Sequence, residues 1–270
     1  MRFLSFTSGS CGNCYYLGAD DPDGTGHGIL IDAGSSIRRV RPVLRDVGID
    51  IAQCRSVLIT HDHLDHIRFL GTFCKYMLPK VWTTKKLHGA LAAHSFTKDH
   101  ISPCRAILSE NNWNDVDTFS VRYFDVPHDA TQTVGYAIRR DGHLIVLMTD
   151  LESVPEEAMA FCKEADTVII ESNYDYRMLV DGPYPPELKK RILKEGHLSN
   201  DDCAAAIKKF WHPGLRNLFL CHLSGNNNTP QKAYDSAAKA LADAGAEKGS
   251  VNLRILHRGV PSPLLELRHE

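Results

Sequence analysis

The sequence of 270 residues predicts a mixed α/β protein whose sheets are covered by helices, and three features of its pattern carry that expectation. Short β-type runs recur from one end to the other, with amphipathic stretches between the later ones. The early runs follow one another closely, as strands joined by tight turns do. Helix-capping residues stand where the amphipathic stretches begin.

In chain order, the strand candidates are RFLSF, YYLGA, GILIDAG, SVLIT, KVWTT, SVRYFDVPH, TVGYAIRR, HLIVLMTD, TVIIESN, NLFLCHL and VNLRILHRG. Three helices announce their ends. Ser35 or Ser36 caps IRRVRPVLRDVG, and Ser199 or Asn200, with Asp201 and Asp202 in the first turn, opens DDCAAAIKKFW. Thr229 and Pro230 begin a helix that Gly245 ends. No long Pro/Gly/Ser linker, repeat or low-complexity tract interrupts this order, so a single domain over residues 1–270 is expected.

With 43% hydrophobic and 24% charged residues, the chain is long enough to bury a substantial core. Its formal net charge of −2 supplies no bulk cationic field, so contact with a polyanion requires local basic patches. MRFLSFTSGS lacks the charged and apolar regions of a signal peptide, and no run reaches the length of a membrane helix. A cytoplasmic protein with no membrane contact is expected, its eight scattered cysteines reduced. Cys11-Gly12-Asn13-Cys14 has CxxC spacing, but strand-like Tyr15, Tyr16 and Leu17 follow it where a redox pair would open a helix, which favours a turn.

The stretch SVLITHDHLDHI concentrates the chemistry. A strand ending at Thr60 delivers His61, His63, Asp65 and His66 to a loop, where alternation can direct the first two one way and the last two another. Imidazole and carboxylate together suit Zn, Mn or Fe(II), and two neighbouring clusters can serve two ions. The same syntax recurs downstream. VRYFDVPHD reaches His128, LIVLMTD ends at Asp150 and NLFLCHL ends near His222. Strand ends on one side of a sheet are where α/β proteins assemble their sites.

HDHLDH resembles the HxHxDH signature of the metallo-β-lactamase fold, and Asp32 in ILIDAG, His128, Asp150 and His222 look like that superfamily's other ordered motifs. The resemblance spans nearly the whole chain and implies an αββα sandwich of two mixed sheets covered by helices. It further implies two divalent metal ions (Zn, Mn or Fe). His61, His63 and His128 would hold one ion and Asp65, His66 and His222 the other, with Asp150 bridging and Asp32 supporting the loop.

SGSCGNCYYLG, ESNYD, GPYPPELKKRI, EGHLSN and HLSGNNNTP are similar to the YycJ/WalJ subgroup, described as DNA exonucleases. That resemblance implies nucleic acid, DNA first, as substrate, and 5′-to-3′ exonuclease action. Two departures stand out: the subgroup usually has ESNHD where Tyr174 stands here, and SSGN where Cys11 stands. Tyrosine, with a reference pKa of about 10, donates a hydrogen bond but shuttles no proton near neutrality.

Phosphodiester hydrolysis has its own physical basis. Two cations about 3.5–4 Å apart lower the pKa of a water bridging them and clamp a phosphoryl oxygen during in-line attack. Asp65 and His197 are the catalytic candidates, His197 as proton donor or phosphate contact just before a helix N-terminus. Asn173, Tyr174, Lys190, Arg191 and Asn227 are candidate substrate contacts. Cationic groups occur at Arg38, Arg39 and Arg41, at Lys85 and Lys86, and at Lys189, Lys190, Arg191 and Lys194. Two other readings stay open: hydrolysis of a small ester, lactone or cyclic phosphodiester, and a metal-bound binding module without turnover. Oligomeric state is open as well.

Overall fold

The computed structural model describes residues 1–20 and 26–267, the side chains of Asp20, Lys194 and Glu195 excepted. The Lys194 side chain, noted from sequence, therefore lies outside the described residues. The chain forms two mixed seven-stranded sheets accompanied by helices, the class expected.

The first sheet runs in the order β14 (Leu265–Glu266), β1 (Arg2–Thr7), β2 (Cys14–Asp20), β3 (Gly26–Ile31), β4 (Cys54–Leu58), β5 (Lys80–Thr83), β6 (Arg105–Ile107). The second runs β13 (Asn252–Ile255), β12 (Asn217–Cys221), β11 (Thr167–Glu171), β10 (His143–Met148), β9 (Thr133–Arg140), β8 (Phe119–Val126), β7 (Asn114–Val116). Each holds a parallel run, β3 to β6 and β10 to β13, beside antiparallel neighbours. Parallel strands need crossovers, and these bring helices. In the first sheet they are α1 (Ile37–Asp46), α2 (Leu64–Ile67), α3 (Leu70–Met77) and α4 (Lys85–Ala93). In the second they are α5 (Glu156–Cys162), α6 (Tyr176–Asp181), α7 (Pro186–Arg191), α8 (Asn200–Phe210) and α9 (Pro230–Asp243).

The chain divides into two compact units: Met1–Tyr123 with Ala130–Gln132 and Arg258–Leu267, and Phe124–Asp129 with Thr133–His257. In the first, α1 lays its apolar stripe of Ile37, Val40 and Leu44 into a core that includes Leu4, Phe6, Tyr16, Leu30, Val57 and Phe73. In the second, β10, β11 and β12 are buried at every residue, as parallel strands covered on both faces are.

Two of the three expected caps form capping bonds, while Ser36 stands at the N-cap of α1 without one. The Ser199 hydroxyl accepts from the Asp202 N–H at 3.0 Å to start α8, and Thr229 Oγ1 accepts from the Lys232 N–H at 3.2 Å to start α9. Gly245, with φ of 96°, follows the end of α9. Every strand named from sequence is present. The unforeseen β6, β7 and β14 have three, three and two residues, too few for alternation to register. One local expectation is corrected. β4 ends at Leu58, and Asp65 and His66 lie on the single helical turn α2, with His63 as its N-cap, instead of in an open loop. The Asp65 carboxylate in that first turn complements the helix N-terminus. All eight cysteines are free thiols, with Cys11 exposed in a turn and Cys14 buried at the start of β2. Among the described residues, no helix is long and apolar enough to cross a membrane.

The chain is drawn tight where β3 ends. The Asp32 N–H reaches Leu58 O at 2.8 Å, Ala33 N–H reaches His66 O at 2.7 Å and Gly34 N–H reaches Asn13 O at 2.9 Å. A Cβ on Gly34 would sit 1.8 Å from the Asp65 carbonyl oxygen and 2.5 Å from Asn13 N, both backbone atoms. Gly34→Ala should therefore cost a few kcal/mol and lower the calorimetric melting temperature by roughly 5–10 °C. Gly89→Ala, in α4 with open space around it, should raise stability by up to about 1 kcal/mol. Equal melting temperatures for the two variants would refute the close crossing at Gly34.

Candidate metal centre

In the first unit, the residues expected to hold metal follow β3 and β4. His61 is buried, and its ring lies 4.7 Å from that of His63 and 4.0 Å from that of His66, centroid to centroid. Asp32, fully buried with φ of 60°, is the anchor. Its carboxylate accepts from His66 Nδ1 at 2.7 Å, from the Thr60 N–H at 2.9 Å and from the Thr60 hydroxyl at 2.9 Å. The Thr60 hydroxyl also lies 3.0 Å from His61 Nδ1. Asp62, between the two leading histidines, accepts from the Thr131 N–H at 3.2 Å and from its hydroxyl.

Asn13 closes the same cluster from the turn before β2. Its Oδ1 accepts from the Gly9 N–H at 2.8 Å, which orients the amide so that Nδ2 donates to His66 Nε2 at 2.8 Å and to Asp65 Oδ2 at 3.2 Å. His66 thus donates through Nδ1 and keeps a lone pair on Nε2.

In the second unit, His128 follows β8, Asp150 follows β10, Glu171 ends β11 and His222 follows β12. The backbone turns sharply at Asp150 and His222, with φ of 54° and 52°, values uncommon for residues other than glycine and concentrated at functional positions. His128 Nδ1 donates to Gly196 O at 2.8 Å. His222 Nδ1 and His197 Nδ1 each lie 2.8 Å from the same oxygen, Glu171 Oε1, while Oε2 accepts the N–H groups of Leu151 and Leu198 at 2.9 and 3.1 Å. Asp150 Oδ1 stands 3.4 Å from His222 Nδ1 and 3.9 Å from His128 Nε2. Asn173 donates to His222 O at 2.7 Å. Donor atoms of Asp150, Glu171, His197 and His222 all fall within 4.8 Å of one another.

These groups suit a divalent transition metal. Such an ion takes a neutral imidazole through one nitrogen, and the other is ordinarily bound to a carboxylate or a backbone carbonyl. His66 donates to Asp32, His128 to Gly196 O and His222 to Glu171, so each has Nδ1 engaged and its lone pair on Nε2; on His66 that lone pair accepts from Asn13 Nδ2, a bond that an ion held there would replace. A carboxylate accompanies the imidazoles in each unit, Asp65 in the first and Asp150 in the second, the mixed N,O chemistry that suits Zn, Mn or Fe(II).

The electrostatics of the Glu171 clasp follow from its partners. Burial alone would raise the carboxyl pKa, but the charge and hydrogen bond of His197, followed by those of His222, outweigh it and hold the group below its ordinary value. For His197, burial would lower the pKa. The Glu171 charge and hydrogen bond, with Asp150, outweigh that and hold it above the ordinary imidazole value. His197 is therefore biased toward the protonated form.

The other candidates fall in varied settings. Arg191 pairs with Asp129 at 2.5 Å, next to His128, and Lys189 donates to Val180 O, while Lys190 is exposed on α7. Asn227 is buried, its backbone carbonyl accepting from the Asp175 N–H at 2.8 Å. Tyr174 is buried, and burial with the Asp202 and Glu171 charges pushes its phenol up to about 12. Histidines outside the motifs have structural bonds: His88 to Ala106 O, His143 to Thr167 and His212 to Ala165 O. Sequence reasoning gave no role to Glu171, Asn13 or Asp62. Glu171 carried a signal, a carboxylate at the end of an apolar run in the pattern of Asp150, whereas Asn13 and Asp62 act through contacts distant in sequence.

A family model described as the β-lactamase superfamily domain matches residues 27–222. The chain is 31% identical over 252 residues to an exodeoxyribonuclease YycJ of Bacillus anthracis, covering 91% of this chain and 90% of that protein. It is 29% identical to an exodeoxyribonuclease WalJ of Streptococcus pneumoniae, covering 90% and 89%. Among solved structures, zinc-bound PqqB from Methylobacterium extorquens superposes with a TM-score of 0.69 at 17% identity, over 97% of this chain and all of that one. Yeast PDE1 gives 0.69 at 14% identity, over 96% and 98%. At those identities the two structures establish the fold.

The Glu171 clasp makes a pH-dependent prediction for metal-free protein. A depressed carboxyl pKa contributes stability above the ordinary value, about 4.3, and loses it as pH falls through the depressed one. A raised imidazole pKa contributes stability below about 6.5 and loses it as pH rises through the raised one. Glu171→Gln should thus cost the most, about 3 kcal/mol, between roughly pH 4.3 and 6.5, and less on either side. Urea melts across that range check it, and a difference independent of pH would refute the charged clasp.

Proposed function

The chain belongs to the β-lactamase superfamily and is a metal-dependent hydrolase of the metallo-β-lactamase fold; from that premise we propose that it is a dinuclear phosphodiesterase acting on DNA as a 5′-to-3′ exonuclease. The ligand set is the one that the resemblance implies: His61, His63 and His128 for one ion, Asp65, His66 and His222 for the other, and Asp150 shared. Exodeoxyribonuclease relatives at about 30% identity over nine-tenths of the chain support the substrate class.

The observation that carries the reading is the shared carboxylate of Glu171. Its one oxygen takes the Nδ1 hydrogens of both His222 and His197. His222 would thereby present Nε2 as a ligand, and His197, its Nδ1 held by the same carboxylate oxygen, presents its Nε2 side as a proton donor. The residues named above would hold two divalent cations, which when bound would supply an activated water and neutralise charge on the phosphoryl oxygens. The chain's own residues do the rest. Asp32 fixes the tautomer and ring plane of His66, Asn13 steadies Asp65, and Asn173 holds the backbone at His222. His197 delivers the proton that the departing alkoxide needs. Tyr174, with a phenol near 12, remains a hydrogen-bond donor throughout the working range and takes no part in proton transfer.

The test is a time course with protein stripped of metal and reloaded with Mn or Zn, on 5′- and 3′-labelled single- and double-stranded DNA and matching RNA. Metal-dependent shortening of DNA from the 5′ end is expected. His63→Ala and Asp150→Asn should abolish it while the circular dichroism spectrum is kept, and His197→Gln should reduce kcat by about 10²–10⁴-fold with metal content unchanged. Asp32→Asn should weaken metal binding about 10–100-fold, read by competition with a chromophoric chelator. A well-folded, metal-loaded protein that leaves every polymer intact but opens small lactones or cyclic phosphodiesters would overturn the nuclease reading.

A further inference from the structure

The first unit has a second concavity, away from the histidines. It is a cleft of about 700 Å³ whose lining includes Arg41, Arg55, Tyr76, Leu78, Lys80 and Asp117. The pairing of β4 with β5 explains why cations meet there. The strands are parallel with Ser56 opposite Lys80, so Arg55 is one residue from that pair and alternates to the other face, and both cations stand at the N-terminal ends of their strands, on the edge of the sheet that the cleft borders. The HDHLDH segment follows the opposite end of β4. Arg55 and His61 are six residues apart, a separation of at most roughly 20 Å at about 3.3 Å per residue.

Three cations line the cleft against the single carboxylate of Asp117. Among the described residues, Arg41, Arg55 and Lys80 have no carboxylate within ion-pair distance, and the nearby Asp50 side chain accepts from the Ala52 N–H. A protein of net charge −2 thus concentrates uncompensated positive charge around one concave surface. Beside it, at the end of α3, Tyr76 is 69% exposed and Leu78 is 66% exposed. Leu78 holds a left-handed backbone with φ of 50°. The Lys75 ammonium lies 5.3 Å from the Tyr76 ring centroid, adding a fourth cation at the rim. Exposed aromatic and apolar groups next to clustered cations have the chemistry of a single-stranded nucleic-acid subsite, where phosphates meet the charges and a base stacks on the ring.

We propose that this cleft is an accessory subsite for the DNA strand, binding nucleotides away from the one at the metal centre, with Arg41, Arg55 and Lys80 on the phosphates and Tyr76 under a base. The path between them runs over the surface from one end of β4 to the other and is longer than the roughly 14 Å that four nucleotides span at about 3.4 Å each. The assignment rests on the nuclease reading for its ligand but concerns surface that the reaction itself does not use. It makes the enzyme sensitive to substrate length.

Fluorescence anisotropy tests it, with metal-loaded protein and fluorescein-labelled, phosphorothioate-linked single strands of 4 and 16 nucleotides, which resist hydrolysis. The 16-mer should bind at least ten-fold tighter than the 4-mer. Arg55→Glu with Lys80→Glu should remove that advantage, lower the slope of log affinity against log salt by about 1.4 for two lost phosphate contacts, and leave 4-mer affinity and melting temperature unchanged. Tyr76→Ala alone should weaken the 16-mer five-fold or more without changing the salt slope. Equal losses on both lengths, a length advantage that survives the double variant, or binding of free deoxynucleoside monophosphate with no preference for the longer strand would each overturn the subsite. If wild-type protein binds neither strand, the nuclease reading fails together with this inference; if it cleaves DNA while the double variant keeps the length preference, this inference alone fails.

Discussion

A buried imidazole can offer a nitrogen to a metal only if its other nitrogen is satisfied, and much of the local structure around the candidate centre follows from that constraint. Asp32 takes Nδ1 of His66, the Gly196 carbonyl takes Nδ1 of His128, and Glu171 takes Nδ1 of His222. Each partner is itself held: Asp32 by the Thr60 amide and hydroxyl, Glu171 by the amides of Leu151 and Leu198. Without these bonds the rings would be free to turn, and buried polar atoms would lose partners at a cost of about 1–3 kcal/mol each.

Backbone geometry serves the same end. Asp32, Asp150 and His222 each follow a strand and each adopt positive φ. A residue leaving a parallel strand in that conformation turns its side chain abruptly out of the sheet's alternation. The strain is tolerated because hydrogen bonds on both sides over-determine the chain, as at Asp32, whose N–H bonds Leu58 O and whose carboxylate bonds Thr60. Gly34 belongs to the same arrangement, since two backbone segments approach it more closely than any side chain permits.

Charge is distributed economically. Arg191, which looks from sequence like a free substrate contact, is paired with Asp129, and Arg39 donates to the Gly259 carbonyl. The basic runs of the sequence therefore do not act as blocks. Individual cations are drawn into structure, and those left over, Arg41 among them, collect where strand ends and helix ends meet.

The sequence by itself determined the strands, the helix caps and the identity of the ligand-type residues, because those depend on period, spacing and side-chain chemistry within a few positions. SVLIT followed by HDHLDH, and apolar runs ending at His128, Asp150 and His222, are legible in one dimension. Tertiary structure alone decided the tautomers, the clasp in which one Glu171 oxygen serves two histidines, the role of Asn13 as a donor to both Asp65 and His66, and the one-turn helix that carries Asp65. The hydrogen bonds among them join residues 26 to 68 positions apart, and a bond over such a separation is fixed by how strands pair and loops cross, which no local pattern records.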